Sequence, residues 1–154
     1  MTVNLKEVLR LHTLWLAGDR AGRRAALSGA DLSGANLFRA VLSSADLSGV
    51  ILPPSPVILP PVGTAFRGWK KLADGTVAEL EIPADAARVC SLVGRKCRAE
   101  YVAVVTGGGA SEFAPATIYA PGATVRPDAW NDDVRVECTH GIHFFATRKE
   151  AENY

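Results

Sequence analysis

The sequence predicts a mainly β protein of the α+β class, made of two structured parts joined by a proline-rich stretch. Three observations predict this: a five-residue repeat over 25–52, a helical pattern in front of it, and several short strand-like segments after residue 64. The 154 residues, 48% of them apolar, suffice for one ordinary core or two small ones. The predicted parts are a helical cap (1–24), a repeat coil (25–52), a linker (53–63) and a β-rich C-terminal domain (64–154).

The composition excludes several classes of protein. The 17 basic and 16 acidic residues leave a net charge of +1, which argues against a basic nucleic-acid binder and an acidic DNA mimic. No stretch approaches the roughly 20 apolar residues of a membrane span, and the first ten residues lack the apolar core of a signal peptide. Three cysteines (Cys90, Cys97 and Cys138) cannot all pair within the chain. We therefore expect a soluble protein of the reducing cytoplasm, with neither membrane nor nucleic acid as partner.

The repeat places a leucine at every fifth residue. A small or aliphatic residue precedes each leucine by two positions, and Asp, Asn and Ser fill many of the remaining positions. A period of five fits neither a helix nor a strand, and the Ser-Gly pairs disfavour a helix further. A coil that turns a corner every five residues accounts for this period and places the leucines in its interior. The predicted core leucines are Leu27, Leu32, Leu37, Leu42, Leu47 and Leu52.

This pattern resembles the pentapeptide-repeat family, whose right-handed, four-sided β-helix uses the motif A-(D/N)-L-x-x. Four repeats make one coil in that family, so residues 25–52 imply about one and a half coils, a stub that needs neighbours or caps. The phrases GWKK (68–71), IPADA (82–86), GRKCRAE (94–100) and ECTHGIHFF (137–145) resemble a domain of unknown function. That domain often follows pentapeptide repeats in bacteriophage and bacterial proteins. The resemblance implies a phage or prophage origin and carries no activity.

The segments around the repeat have their own signals. Residues 4–17 predict an amphipathic helix with Asn4 as N-cap, Glu7 three residues on and Gly18 as the stop. His12 lies on its apolar face and is interpreted as a hydrogen-bonded core residue. Residues 53–63 carry five prolines and predict an extended linker. Within the linker, the run 57–59 is apolar enough to dock on one of the domains.

In the C-terminal domain, 66–72 and 76–82 predict a hairpin turning at Asp74-Gly75. A helical turn is predicted at 83–88, a single strand at 98–105 and a hairpin tip at the glycines 107–109. A pair of strands about Pro121-Gly122 follows. A strand at 142–146 is expected to lead into a helix capped by Thr147, with Glu150 at the reciprocal position.

Two sets of residues are candidate sites. Cys97, Cys138, His140 and His143 include metal-ligating types, but their spacing is not a standard zinc spacing, and buried thiols with a hydrogen-bonded histidine are the favoured interpretation. Basic residues cluster on either side of Cys97. A solvated strand face is the favoured interpretation, and a pocket for a phosphate or a nucleotide base, formed with a nearby tryptophan, is the alternative. The binding candidates are Trp69, Arg95, Lys96, Arg98, Trp130 and His143.

The sequence shows no catalytic motif and no cofactor fingerprint, so we predict neither an enzyme nor a bound cofactor. The segment GIHFFATRKEAENY (141–154) is similar to the strand-to-helix segment of ADP-ribosyltransferases, and Phe66-Arg67-Gly68 is similar to their first strand. In those enzymes the catalytic Glu lies on a later strand, and this sequence, which ends at Tyr154, offers no Glu for that role. A degenerate, nucleotide-binding relative stays open as an alternative.

The predicted function is a non-enzymatic, phage-type binding or scaffold module that acts through a protein partner. The partner would be a host factor or a host-defence protein in the bacterial cytosol. A virion structural or decoration protein and a nucleotide-binding sponge are the alternatives. Because the ends of a short coil expose strand edges, a homo-oligomer is also expected.

Overall fold

The computed structural model describes residues 4–33, 35, 37, 40–52, 57, 59–92 and 94–154. They are mainly antiparallel strands with a helix near each end, which confirms the predicted fold class. The described residues form two compact units. The described residues of the first fall within the bounds Met1–Ser55, Leu92–Gly94 and Asp133–Cys138, and those of the second within Pro56–Ser91, Arg95–Asp132 and Thr139–Tyr154.

Helix α1 (Leu5–Leu16) opens the first unit as the sequence predicts. The Asn4 side chain accepts a hydrogen bond from the Glu7 backbone N–H at 3.3 Å. The Glu7 carboxylate pairs with Arg10 at 2.7 Å. The apolar side chains of the first turns pack against the leucines of the repeat. Helix α1 therefore covers apolar surface that the short coil cannot bury by itself.

His12 is fully buried and both of its ring nitrogens are satisfied. Its Nδ1 accepts from the Ala25 N–H at 3.2 Å, which leaves Nε2 to donate to the Ser43 carbonyl at 3.0 Å. This confirms the core interpretation of His12. The side chain links the helix to two points of the repeat.

The repeat forms a four-sided coil. Ala26 lies opposite Asp46 and Asp31 opposite Ile51, both in parallel bridges, so the chain returns to the same side after four pentapeptides. Each described corner is closed by a hydrogen bond from the N–H three residues after a leucine to that leucine's carbonyl. The donors are Ala30, Ala35, Ala40, Ala45 and Val50. The first four predicted leucines are almost completely buried, and Leu47 and Leu52 are partly buried.

A late segment of the chain completes this unit. Val136 pairs antiparallel with Val41, the Leu42 N–H donates to the Arg135 carbonyl at 3.2 Å, and the Ser43 hydroxyl donates to Asp133 at 3.0 Å. From the sequence, 133–138 was expected to belong to the C-terminal domain (64–154). The physical reason for the difference is the short repeat: the positions twenty residues before and after Val41 lie outside it, so another segment supplies the backbone partners.

The corner at Ser44 offers a test of the coil. Ser44 has φ 62°, and the equivalent positions Gly29 and Gly49 have φ 67° and 65°. A side chain in this left-handed region costs about 1 kcal/mol. We expect Ser44→Gly to raise the free energy of unfolding by up to about 1 kcal/mol in urea titrations. Ser28→Gly, one position earlier in its own turn, should give no gain, and equal effects of the two would contradict the assignment.

The second unit is built on a seven-stranded antiparallel sheet with the order β3-β4-β9-β1-β2-β5-β8. The described strands are β1 (Phe66–Lys71), β2 (Val77–Ile82), β3 (Arg88–Cys90), β4 (Lys96–Ala99), β5 (Val102–Thr106), β6 (Gly109–Ala110), β7 (Ile118–Tyr119), β8 (Thr124–Val125) and β9 (Ile142–Phe145). Strands β6 and β7 pair with each other in a separate small sheet. Helix α2 (Arg148–Glu152) follows β9, and the predicted Thr147–Glu150 capping box is present.

The core of this unit explains one glycine of the GWKK phrase. A Cβ on Gly68 would lie 2.6 Å from Phe144 and 2.8 Å from Ile82, two fully buried side chains. Only glycine fits that close approach without displacing the core. Val57 and Leu59 pack against the same core, which confirms docking of that run. Ile58 and residues 53–56, for which an extended linker was predicted, lie outside the described residues.

Several predicted strand partners are wrong, although the hairpin at Asp74-Gly75 is confirmed. The single strand at 98–105 breaks after β4, where the Glu100 N–H bonds to the Ala87 carbonyl at 2.9 Å, and β5 lies elsewhere in the sheet. The glycines 107–109 lead from β5 into the small sheet and are not a hairpin tip. The strands flanking Pro121-Gly122 exist but belong to different sheets. The predicted helical turn at 83–88 is a single turn, closed by a hydrogen bond from the Ala86 N–H to the Pro83 carbonyl at 3.2 Å, and Arg88 already lies in β3. Local patterns mark short strands but do not select their partners.

Candidate functional site

Three of the predicted binding residues lie together on β4 and β9. Arg98 is directly opposite His143 in the antiparallel register, and Lys96 is opposite Phe145. Opposed residues of an antiparallel pair share one face of the sheet. Lys96 and Arg98 are nonetheless buried, with exposures of 4% and 0%. The favoured interpretation, a solvated basic strand face, is therefore wrong for these two residues.

Lys96 and His143 open onto a small recess that also contains residues the sequence analysis did not single out. Its wall carries three lysines and one histidine, one glutamate, and three aromatic rings. The lining residues are Lys70, Lys71, Lys96, Glu112, Phe113, His143, Phe145 and Tyr154. The recess is thus a positively charged pocket with an aromatic rim.

Lys70, on β1, is the most perturbed cation of the recess. Burial, and to a smaller extent the nearby Lys96, lower the pKa of its ammonium group to about 8, although Glu112 acts in the opposite direction. Its Nζ lies 3.4 Å from the His143 carbonyl oxygen and 5.5 Å from the centre of the Tyr119 ring. These are weak substitutes for water, so the charged form of Lys70 is destabilised in the folded protein.

His143 is held neutral by its surroundings. Burial, together with the nearby cations Lys96, Lys70 and Arg98, lowers the pKa of its ring to about 3, although a hydrogen bond to the Thr139 backbone acts in the opposite direction. Its Nε2 is buried and has no hydrogen-bond partner among the described residues. A buried polar atom left without a partner costs free energy, so it calls for an explanation.

Lys96 and Arg98 are positioned by neighbours. The Lys96 ammonium bonds to the Tyr154 hydroxyl at 2.5 Å and lies 4.2 Å from the centre of that ring. Arg98 donates from Nε to the Asn131 carbonyl at 3.3 Å. A Cβ at Gly141 would lie 3.1 Å from the Arg98 Cβ and 3.3 Å from Trp130, so Arg98 and Trp130 both pack at this glycine.

Only two of the six binding candidates, Lys96 and His143, line the recess; Arg98, Trp130 and the remaining two lie outside its lining. Trp69 is opposite Phe145 in the pairing of β1 with β9. Arg95 forms an ion pair with Glu150 of α2 at 2.5 Å. Their roles as ligand contacts stay predictions. Lys70, which the sequence analysis missed, carried one signal: it is a lysine inside a strand at a position that faces the core together with Gly68.

The structure changes the interpretation of the cysteines. Cys97 is bonded to Cys90 in a disulfide that joins directly opposed positions of β3 and β4, and Cys138 is reduced. Cys97 therefore supplies no thiolate for the metal set proposed with Cys138 and His143. His140 contacts Asp128 at 3.1 Å. Across the described parts of the chain, no group of three His, Cys, Asp or Glu side chains is placed to hold a metal ion. The sequence signal for this disulfide was the placement of Cys90 and Cys97 on either side of a short connection between two strands.

A second recess, of about 250 Å³, lies at the edge strand β3. Its wall is mostly apolar and is formed by Val57, Leu59, Pro60, Pro61, Val62, Arg88, Val89 and Cys90. The Arg88 side chain donates to the Thr64 carbonyl at 2.7 Å and to the Pro83 carbonyl at 2.6 Å. Arg88 is the one charged side chain among the described residues of this wall, and these bonds direct its guanidinium to the surrounding backbone. Few polar groups are therefore left to contact a ligand.

Comparison with known families agrees with the two units. Residues 57–151 match the family described as a family of unknown function (DUF5758). Residues 23–52 match the family whose model is described as pentapeptide repeats (8 copies). The chain belongs to the DUF5758 family. The whole recess except Tyr154 falls within the matched DUF5758 region. No curated protein and no solved structure is significantly similar to the chain. Within the described residues, no helix is both long enough and apolar enough to cross a lipid bilayer.

The buried lysine predicts a pH-dependent stability difference. Because the pKa of Lys70 is about 8 in the folded protein and 10.5 ordinarily, its charge opposes folding fully below pH 8, and this cost fades as pH rises towards 10.5. Lys70→Met should therefore raise the free energy of unfolding by about 1–3 kcal/mol at pH 7. The advantage should shrink by pH 9.5. Lys149→Met, an exposed control of equal charge, should show no such trend, and a destabilised Lys70→Met at pH 7 would contradict the analysis.

The disulfide predicts a redox-dependent stability. Cys90 and Cys97 are seven positions apart in the sequence. Closing so short a loop contributes about 2–3 kcal/mol. We expect dithiothreitol to lower the free energy of unfolding by that amount. The denatured but unreduced protein should contain a single alkylatable thiol, Cys138. Three alkylated thiols in protein purified without reductant would contradict the bond.

Proposed function

We propose that the protein is a non-enzymatic binding module that acts through protein–protein interaction. In this proposal the C-terminal domain presents the recognition surface and the repeat unit serves as a scaffold. The observation that carries it is the exposure of Phe113, 69% of whose surface is open to solvent in the loop between β6 and β7. Ile118, on β7, is 57% exposed.

An aromatic side chain in this position suits a protein interface. Burying a phenylalanine against a partner contributes about 1.5–3 kcal/mol, and aromatic residues commonly dominate binding energy. Phe113 borders the basic recess, where Lys70, Lys71 and Lys96 outnumber Glu112. A partner surface with an apolar centre and acidic neighbours would be complementary to this arrangement.

The class of partner rests on the resemblance to phage-type proteins. A host factor or a host-defence protein of the bacterial cytosol is the first candidate. A virion structural or decoration protein is the second, and the Cys90–Cys97 disulfide favours it, because disulfides persist at virion surfaces and are rare in a reducing cytosol. The 56% exposure of Ile51, in the last described repeat, supports self-association as a homo-oligomer in either case.

The proposal predicts a partner that depends on Phe113. Tagged protein and its Phe113→Ser variant would be purified from the native host under infection-like conditions, and the bound proteins quantified by mass spectrometry. We expect one stoichiometric partner with the unmodified chain and at least a tenfold loss with the variant, as for a central interface residue. Val62→Ser, which alters a 63% exposed apolar residue at the second recess and outside the basic one, is the matched control.

The identity of the partner separates the two candidates. A host enzyme or defence protein would support the first, and capsid or tail components in purified particles would support the second. The same proteins bound to all three chains, or none bound to any, would count against a binding module acting through Phe113.

A further inference from the structure

We infer that the basic recess of the C-terminal domain binds an oxyanion, the phosphate group of a phosphate monoester. Lys70 and Lys96 would contact its oxygens, and His143 Nε2 would complete the site. This inference goes beyond the proposed protein partner, and it concerns a small ligand that the purified protein can bind by itself.

The first argument is the charge of the recess. Two ammonium groups, Lys70 on β1 and Lys96 on β4, line the recess together with one acid, Glu112. They are close enough that Lys96 lowers the pKa of Lys70 and that both lysines lower the pKa of His143. Like charges in a partly desolvated space repel strongly. An anion carrying one or two negative charges would convert this repulsion into attraction. Phosphate is the common biological group with that charge and with several acceptor oxygens.

The second argument is the buried ring nitrogen of His143. Nε2 is buried and has no hydrogen-bond partner among the described residues, and His143 is one of the residues that line the recess. A ligand oxygen there would supply one. A single proton, carried by the monoanionic ligand or taken up from solvent, would lie between that oxygen and Nε2. The ring is already oriented, because Thr139 holds its other nitrogen.

The third argument is size. The recess encloses about 30 Å³. That is room for roughly two water molecules, so the recess can enclose oxygens of an anionic group but not a whole nucleotide. The remainder of the ligand would have to lie outside, where Phe113 and Tyr154 form part of the rim. Their rings offer an apolar surface to an organic substituent on the phosphate.

Titration of the purified full chain with phenyl phosphate, followed by calorimetry, tests the inference. We expect saturable binding that phenol, which lacks the phosphate, does not reproduce. Lys70→Met and Lys96→Met should each weaken binding about tenfold, the effect of losing a charge-assisted hydrogen bond. Lys149→Met removes the same charge from helix α2, outside the recess, and should leave the affinity unchanged.

A second measurement needs no variant. In the nitrogen-15 NMR spectrum of the unmodified protein, the His143 Nε2 resonance should shift on addition of phenyl phosphate, because the atom gains a hydrogen-bond partner. No saturable binding, an unchanged Nε2 resonance, or an equal loss of affinity in Lys149→Met would overturn the inference. Failure here would leave the Phe113-dependent partner experiment unaffected, since that experiment does not use the phosphate ligand.

Discussion

The pairing of β4 with β9 determines most of what the C-terminal domain can do. The register that places Cys97 opposite Phe144 and Ala99 opposite Ile142 gives one face to the core. The same register gives Lys96, Arg98 and His143 to the other face. A shift by one residue would exchange the two sets, burying charges among Phe144 and its neighbours. Because the core strongly favours one register, it also fixes the positions of Lys96 and His143, whereas Lys70 reaches the recess from β1, where it shares a face with Gly68.

The disulfide and the glycines maintain that arrangement from either side. Cys90 is bonded to Cys97, so β3 cannot slide along β4. Gly68 lets β1 approach Phe144, and this close approach holds Lys70, two residues further along β1, beside β9. Gly141 performs a similar role between Arg98 and Trp130. The site therefore depends on small residues that let charged side chains pack against the sheet, in addition to the charged residues themselves.

The sequence was most informative where a pattern has a local physical cause. The five-residue period requires a corner at each repeat, and the Thr147–Glu150 box is completed within four residues. The strand partners of 98–105 and of the glycines 107–109 could not be read in this way, because pairing depends on distant segments. Lys70 escaped notice for the same reason: its neighbours Lys96 and His143 come from strands far away in the sequence, and only the sheet order brings them together.

The energetics of the recess indicate that its cations have a function. Burying Lys70 beside Lys96 opposes folding, as the lowered pKa of Lys70 shows, and an aliphatic side chain of similar length would fill the same space without that cost. The His143 Nε2, which has no hydrogen-bond partner in the described part of the chain, adds a second unfavourable contribution in the same place. Two destabilising features at one small recess are difficult to explain by the stability of the fold. A bound anion would offset both contributions at once, which is why an anionic ligand accounts for this site better than a purely structural role does.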